Sequence, residues 1–481
     1  MTTLKKQAVS GIKWLMGSTA IQRVITFATT VVLARILTPA TFGLFSLAFI
    51  AIDSLGLFSS MGFDSALIRK KDDMDKSANT AFFIIPVLGI SLYLLLAISA
   101  PLIGKFLNNQ EVISVVRALG IIFVIGCFGK VPAALLEKSM QFKKVSFIDI
   151  SSLVIYSIAA IVFAVFHFGI WSLVIAYILK TLYQNILAWL FSGWTPRFEF
   201  DKKIAWEMFH FGKFLFLGSL VGFLKWNLDN LLVGKLLGIT ALGFYGIAFN
   251  VANIGGVFLG SKVYRVAFPA YSKLQGNLYD LRAAALKVLK HLSLLVLPLG
   301  VAIFFLSGEF LRLIYGLKWL EAKDVLRILA WSGVFNTLPA GMSAIFLACG
   351  KPKLTFLITT LQVTMFFVFI TPMAKIFGIN GVGAVVSISS FVAFIITLSW
   401  ASRIVSISLK QIYYCFKPAV IASLFMGIGI LFLKYVLSHQ PIVIPFYYNF
   451  ILLSLCGLAT YVASLFMVER KLLKDLKDLI F

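Results

Sequence analysis

Six cationic side chains sit inside long apolar runs of the 481-residue chain: Arg23, Lys130, Lys180, Lys225, Lys262 and Arg265. A charge at the centre of a bilayer costs about 2.5 to 3.5 kcal/mol even on the lenient insertion scale, so each is a candidate for function. Two carboxylates, Asp53 and Asp229, are expected at similar depth, too few to neutralise the cations. The excess positive charge suits an anion such as a pyrophosphate, whose oxygens Arg engages bidentately and Lys as a point charge. Lys225 and Asp229 stand four residues apart on one helix face, which equally fits a local bridge. Lys130, Lys262 and Arg265 fit snorkelling to headgroups as well as a cavity lining. Trp226, Asn227 and Asn230 on one run, with Tyr245, Asn250 and Asn253 on the next, join Asp53 and Asp229 as candidates for sugar or ion contacts. Amides at depth need partners, and aromatic rings suit pyranose faces.

Catalytic patterns fail on spacing. The stretch Gly126 to Lys130 lacks the Walker A spacing and a following Ser or Thr, and there is no nucleophile elbow or zinc helix. The four cysteines, Cys127, Cys349, Cys415 and Cys456, are scattered through apolar stretches and read as small core or lipid-facing residues. The chain is expected to be no enzyme and to need no metal or organic cofactor, with either an ion gradient, of H+ or Na+, or the downhill removal of product as the drive. Trp14, Trp194 and Trp319 near span ends read as interface anchors.

Those residues must be positioned by membrane helices. Apolar residues make up 60% of the chain and charged residues only 13%, which excludes a soluble enzyme, a disordered chain and a disulfide scaffold. Runs bounded by turn residues or charge fall at about 12–37, 41–68, 79–104, 113–136, 146–167, 170–192, 206–237, 241–270, 284–307, 325–348, 354–377, 381–405, 413–437 and 442–468. The expected fold is all-α integral membrane, with about 14 transmembrane helices. The formal net charge of +24 suggests nucleic acid until the basic residues are located. They cluster in alternate loops, 26 of the 43 on the side of the N-terminus, which predicts both termini cytoplasmic and no nucleic acid partner. The start, MTTLKKQAVSGIKWLMG, is basic and then apolar, but without a cleavage site it reads as a retained first helix.

Adding 200 to the numbering lays LARILTPATFGLFSLAF (33–49) over VGKLLGITALGFYGIAF (233–249), matching Leu37 with Leu237, Gly43 with Gly243 and Phe49 with Phe249, while Arg35 meets Lys235. Six helices separate the copies, so the halves share one orientation, related by an axis along the membrane normal. This predicts a six-helix bundle over 1–200, a second over 201–407, and two extra C-terminal helices with a cytoplasmic tail over 408–481.

The segments LARILTPATFGLFSLAFIAIDSLGLFSSMGFDSALIRKKD (33–72) and VPAALLEKSMQFKK (131–144), with the duplicated fourteen-helix plan, resemble the polysaccharide-transporter, Wzx-type branch of the multidrug/oligosaccharidyl-lipid/polysaccharide (MOP) flippase superfamily. The likeness is to lipopolysaccharide, colanic-acid and teichuronic-acid exporters. Acidic residues are common there after the proline of the first loop, where this chain has Ala40 and Thr41. The resemblance implies two six-helix bundles around a central cavity and the flipping of an undecaprenyl-pyrophosphate-linked oligosaccharide by alternating access. It also implies work beside a polysaccharide polymerase and glycosyltransferases in the lipid bilayer. The competing readings are a lipid-linked peptidoglycan-precursor flippase, a drug/cation antiporter of the same superfamily, and a membrane glycosyltransferase or polymerase. The antiporter would want more buried carboxylates, and the enzyme would want an acid/base pair in a sizeable outer loop.

Overall fold

The structure is a computed structural model, and it describes residues 2–59, 62–70, 73–439 and 445–468. The expected tail over 469–481 lies outside the described residues. Sixteen α-helices and no strand are found among them: α1 Thr2–Ile36, α2 Pro39–Gly56, α3 Phe63–Arg69, α4 Met74–Phe106, α5 Glu111–Lys138, α6 Phe142–Val165, α7 Ile170–Ser192, α8 Lys202–Leu237, α9 Ile239–Ala252, α10 Ser261–Leu274, α11 Leu278–Ile314, α12 Lys323–Thr337, α13 Ala340–Ala348, α14 Pro352–Ile404, α15 Leu409–Ser438 and α16 Phe446–Val468. Eleven segments of the described chain are long and apolar enough to cross a membrane. Their outward faces are oily, as lipid contact requires: on α4, Ile98 is 77% exposed and Leu102 70%.

Helix starts follow local chemistry. Thr38, in extended conformation, accepts from the Thr41 N–H, and Pro39 fills the first turn of α2, where a missing N–H costs nothing. Asp201 caps α8 by accepting from the N–H groups of Lys203 and Ile204, at 2.8 and 3.1 Å. Ser408 and Gln411 form a reciprocal capping box at α15.

Several expected spans are subdivided. The run 41–68 is two helices, because α2 ends at Gly56 and Gly62, at φ 79°, turns the chain into the short α3. The run 241–270 breaks after Ala252 and continues through a π-helical turn, Gly256–Gly260, into α10. The run 325–348 breaks at Leu338 and Pro339 between α12 and α13. Conversely, α14 joins two expected spans across Gly378, whose φ of 58° and ψ of −142° depart from the helix near the boundary read from sequence.

The chain forms two compact units, Met1–Gly243 and Phe244–Phe481. The sequence repeat places the boundary near 200. The packing places it later because α8 lies against α2, α3 and α4 of the first unit. In that unit α5 packs on α4 and α7, α7 on α6, and α6 on α1. Phe63, Ala78, Ile85, Cys127 and Val131 form one of its apolar cores. In the second unit α12 packs on α11 and α14, and α10 on α13. There α15 and α16 pair with each other and lie on α11, their interface centred on Met426, Ile430, Leu453 and Tyr461. Trp319 corrects an expectation: it is fully buried, edge-on to Phe244 at 6.0 Å, so it is a core residue.

The repeat leaves a physical trace inside the first unit. A β-carbon on Gly43 would overlap the Ile239 carbonyl oxygen, and one on Gly243 would overlap the Pro39 carbonyl oxygen. Residues 39 and 239, like 43 and 243, are 200 apart, so the start of α2 and the start of α9 cross with each glycine admitting the other's backbone.

Candidate functional site

In the first unit, α5, α6 and α7 enclose a cavity of about 380 Å³ whose lining includes Lys130, Glu137, Asp149, Thr181, Gln184 and Asn185. Gly129 makes room for one wall: any side chain there would collide with the Asn185 amide oxygen. The Asn185 amide nitrogen donates to the Thr181 carbonyl at 2.7 Å, while its oxygen is buried and accepts no hydrogen bond from the described residues. The cavity thus presents an unused acceptor, two carboxylates and an ammonium within membrane-crossing helices.

Lys180 is half-buried on α7, one residue before Thr181 of the cavity wall. Its ammonium lies 5.1 Å from the Tyr177 ring centroid, a cation–π contact. It is also within electrostatic reach of Asp149, yet neither side chain forms an ion pair or a hydrogen bond with the described residues. Lys130 and Glu137 of α5 interact at similar range, as do Tyr177 and the exposed Asp53 of α2.

The other candidate residues are dispersed. Arg23 is exposed on α1. On α8, Lys225 is half-buried with its ammonium 5.8 Å from the Trp226 ring, and Trp226 is 48% exposed. Asp229, 1% exposed, accepts from the backbone N–H of Asn230 at 2.9 Å and from its amide at 3.4 Å. The Asn227 amide donates to the Phe223 carbonyl of its own helix. In the second unit, Lys262 is half-buried and Arg265 exposed on α10. Asn250 is exposed on α9 and Asn253 follows it at the helix break, buried, with an amide oxygen that lacks a partner. Tyr245 is fully buried and stacked on Phe249, so its ring is committed to packing.

Sequence reasoning missed Asp149 and Glu137, the two carboxylates of the cavity lining. The expected span began at residue 146, which put Asp149 at its edge. In the structure α6 starts at Phe142 and carries Asp149 two turns inside. The usable signal was Asp149 itself, a lone carboxylate in the otherwise apolar run from Val145 to Phe166.

Comparison with known proteins gives this geometry a context. The family model described as "Polysaccharide biosynthesis protein" matches residues 32–324. The teichuronic acid biosynthesis protein TuaB of Bacillus subtilis (strain 168) is 30% identical over 359 residues, 74% of this chain and 74% of that protein. The lipopolysaccharide biosynthesis protein WzxC of Escherichia coli (strain K12) is 26% identical over 386 residues, 79% of this chain and 78% of that one. Among solved structures, the lipid II flippase MurJ in an inward closed conformation superposes with a TM-score of 0.77 at 14% identity, covering 96% of this chain and 100% of that one. An inward-facing multidrug resistance MATE transporter of the MOP superfamily gives 0.62 at 18% identity, covering 80% and 94%. Those two likenesses establish the fold, and the sequence matches establish the lineage. The chain belongs to the polysaccharide biosynthesis protein family, as a multi-pass membrane protein.

Proposed function

We propose that the chain carries an undecaprenyl-pyrophosphate-linked oligosaccharide from the cytoplasmic to the outer leaflet of a prokaryotic inner membrane, by alternating access and without chemical change to its cargo. Its polysaccharide-biosynthesis relatives and the asymmetry of its basic loops, which accords with cytoplasmic termini, support this reading. The observation that carries it is Lys180: a half-buried ammonium in a membrane-crossing helix that no carboxylate of the described chain pairs directly. An unpaired charge at that depth is costly, and a diphosphate supplies the missing partner. Lys180 and Lys130 are assigned to the pyrophosphate. Arg23, Lys225, Lys262 and Arg265 are assigned to the cationic path along which the head group travels. The glycosyltransferases that build the unit would deliver it and a polymerase would receive it.

The test is translocation of a labelled undecaprenyl-pyrophosphate oligosaccharide in proteoliposomes. Lys180→Gln, properly inserted, should move it at least tenfold more slowly, and Lys180→Arg should keep part of the rate because the charge survives. Lys180→Gln working at the wild-type rate would refute the assignment. Equal or faster transport of a lipid-linked peptidoglycan precursor would replace the cargo.

A further inference from the structure

The connection between α7 and α8, residues 193–201, displays aromatic rings on a segment that is fastened to α4 at three points. The Arg197 N–H donates to the Asn79 side-chain oxygen at 3.0 Å, the Asn79 amide donates to the Glu199 carboxylate at 3.4 Å, and the Asp201 N–H donates to the Thr80 hydroxyl at 3.2 Å. Asn79 and Thr80 are themselves buried, so the fastening belongs to the interior of the unit. Trp194 seats the start of the connection, stacked on Trp189 of α7 at 5.8 Å and edge-on to Phe82 of α4 at 5.5 Å. Between the fastened points the Glu199 N–H donates to the Arg197 carbonyl at 2.8 Å, which makes a three-residue turn with Phe198 at its apex. Phe198 leans on Phe83 of α4 at 5.6 Å and is still 97% exposed, the highest value for a large apolar side chain among the described residues; Phe200 is 58% exposed. Contact with hydrocarbon explains oily helix faces but not these rings, which stand outside the membrane-crossing segments.

We propose that this connection is a lipid-headgroup site: Phe198 and Phe200 enter the membrane–water interface, while Lys76, Arg197, Lys202 and Lys203 hold the phosphates of anionic phospholipids. All four cations are exposed, and none forms an ion pair with the described residues. The three carboxylates within residues 193–210 are already engaged. Asn79 holds Glu199, the N–H groups of Lys203 and Ile204 hold Asp201, and Lys70 holds Glu207 at 2.8 Å. Lys202 and Lys203 open α8, where a cation opposes the helix dipole, so the stability of the helix does not account for them. Lys76 stands one turn before Thr80 on α4, which keeps it beside the fastened segment.

One surface satisfies both sets of side chains. Aromatic rings favour the interfacial zone of a bilayer, and ammonium and guanidinium groups beside it reach the phosphates of anionic lipids. A free phosphate would answer the cations alone and leave the rings in water. The leaflet is the cytoplasmic one, which rests on the sidedness proposed above from the basic loops; the assignment of Lys180 and Lys130 to the cargo plays no part. Because Asn79 and Thr80 tie the connection to α4, headgroups that hold Phe198 also fix the depth at which α4 and the start of α8 stand in the membrane.

The experiment uses the full-length protein in phosphatidylcholine nanodiscs, with Phe198 replaced by trifluoromethylphenylalanine as a fluorine probe. Traces of phosphatidylglycerol or phosphatidylcholine, each carrying the same nitroxide high on one acyl chain, are added, and broadening of the fluorine line reports each lipid at the connection. Both lipids should broaden the line more than a water-soluble gadolinium chelate does. Labelled phosphatidylglycerol should do so about fivefold more than labelled phosphatidylcholine, or better, since one cation beside an anionic surface is worth about that factor. Lys202→Gln combined with Lys203→Gln should remove most of this preference, and added salt should weaken it. Millimolar inorganic phosphate should leave it intact. Stronger broadening by the chelate than by either lipid would overturn the proposal and leave the rings to a soluble protein partner. Equal broadening by the two lipids would overturn the headgroup site, and loss of the preference to inorganic phosphate would overturn lipid as its ligand. These comparisons decide without the lysine variant, should it fail to fold. Lys180→Gln should change none of them, so a failed transport assay and a failed lipid contact are separate results.

Discussion

Adding one methyl group to Gly43 or Gly243 tests whether the repeat-related crossing in the first unit is an essential contact. At each position the methyl meets a backbone carbonyl oxygen, of Ile239 or Pro39, which cannot swing aside as a side chain could. The two backbones must separate by roughly an ångström to restore van der Waals distances. Overpacking of this kind costs about 1 to 3 kcal/mol, against a gain of about 1 kcal/mol from replacing glycine by alanine in a helix. A net loss of up to about 2 kcal/mol is therefore expected for each single variant, and of about 1 to 3 kcal/mol relative to a glycine-to-alanine change that meets no neighbour. Gly246→Ala supplies the control, since nothing lies within 4 Å of a β-carbon there and only the helical gain applies. The double variant should cost less than the sum of the singles by about 0.5 kcal/mol or more, because a separation that accommodates the first methyl also accommodates the second. Buried Cys127 and Cys415 give the readout, through their reaction with a fluorogenic maleimide as the protein is heated in detergent. Gly243→Ala as stable as Gly246→Ala, or strict additivity of the pair, would refute the reasoning.

Two further outcomes follow from single contacts. Lys434 of α15 meets Glu309 of α11 at 2.7 Å and donates to the Phe305 carbonyl at 2.6 Å, with both side chains about a quarter exposed. Glu309→Gln should cost about 1 to 3 kcal/mol by the same thermal assay, and adding Lys434→Met should recover most of it; no recovery would mean that the pair is not what holds α15 there. Asp201 is held below the usual carboxylate range by its hydrogen bonds from the Ile204 and Lys203 N–H groups. A folded-state value below the unfolded one means that its stabilisation is present above the unfolded value and lost as pH falls through the folded one. Melting temperatures of wild type and Asp201→Asn should therefore diverge in one direction only, wild type losing ground below about pH 4. A gap that stays constant from pH 7 to pH 3 would contradict the cap's ionic character.

The architecture was legible because lipid imposes a crude rule: every backbone group is satisfied within a helix, so length and polarity alone mark the spans. Thr38 with Pro39 and Gly378 also show on the page what they do in the fold, since a cap, a first-turn proline and a left-handed glycine each act locally. The break after Ala252 was illegible for the opposite reason. No proline or charge marks it. What stands there is packing: Gly333 lets the Ala252 carbonyl approach so closely that any side chain would collide, and Thr337, whose hydroxyl donates to the Gly333 carbonyl at 2.6 Å, sits against Gly256.

The candidate site divides along the same line. That Lys180 is special could be read from one residue, because an ammonium in an apolar run is conspicuous by composition. That Asp149 belongs with it could not, since the two are 31 positions apart and their meeting depends on how α6 lies against α7. A count of charges by depth treats each helix as an isolated cylinder, and so weighs six cations against two carboxylates. Packing turns that sum into local neighbourhoods: Lys130 with Glu137, Lys180 with Asp149, Tyr177 with Asp53. Two of the six cations, Lys130 and Lys180, thus each have a carboxylate within electrostatic reach, so the field an anion would meet in the first unit is set by these neighbourhoods and not by the sum over the chain.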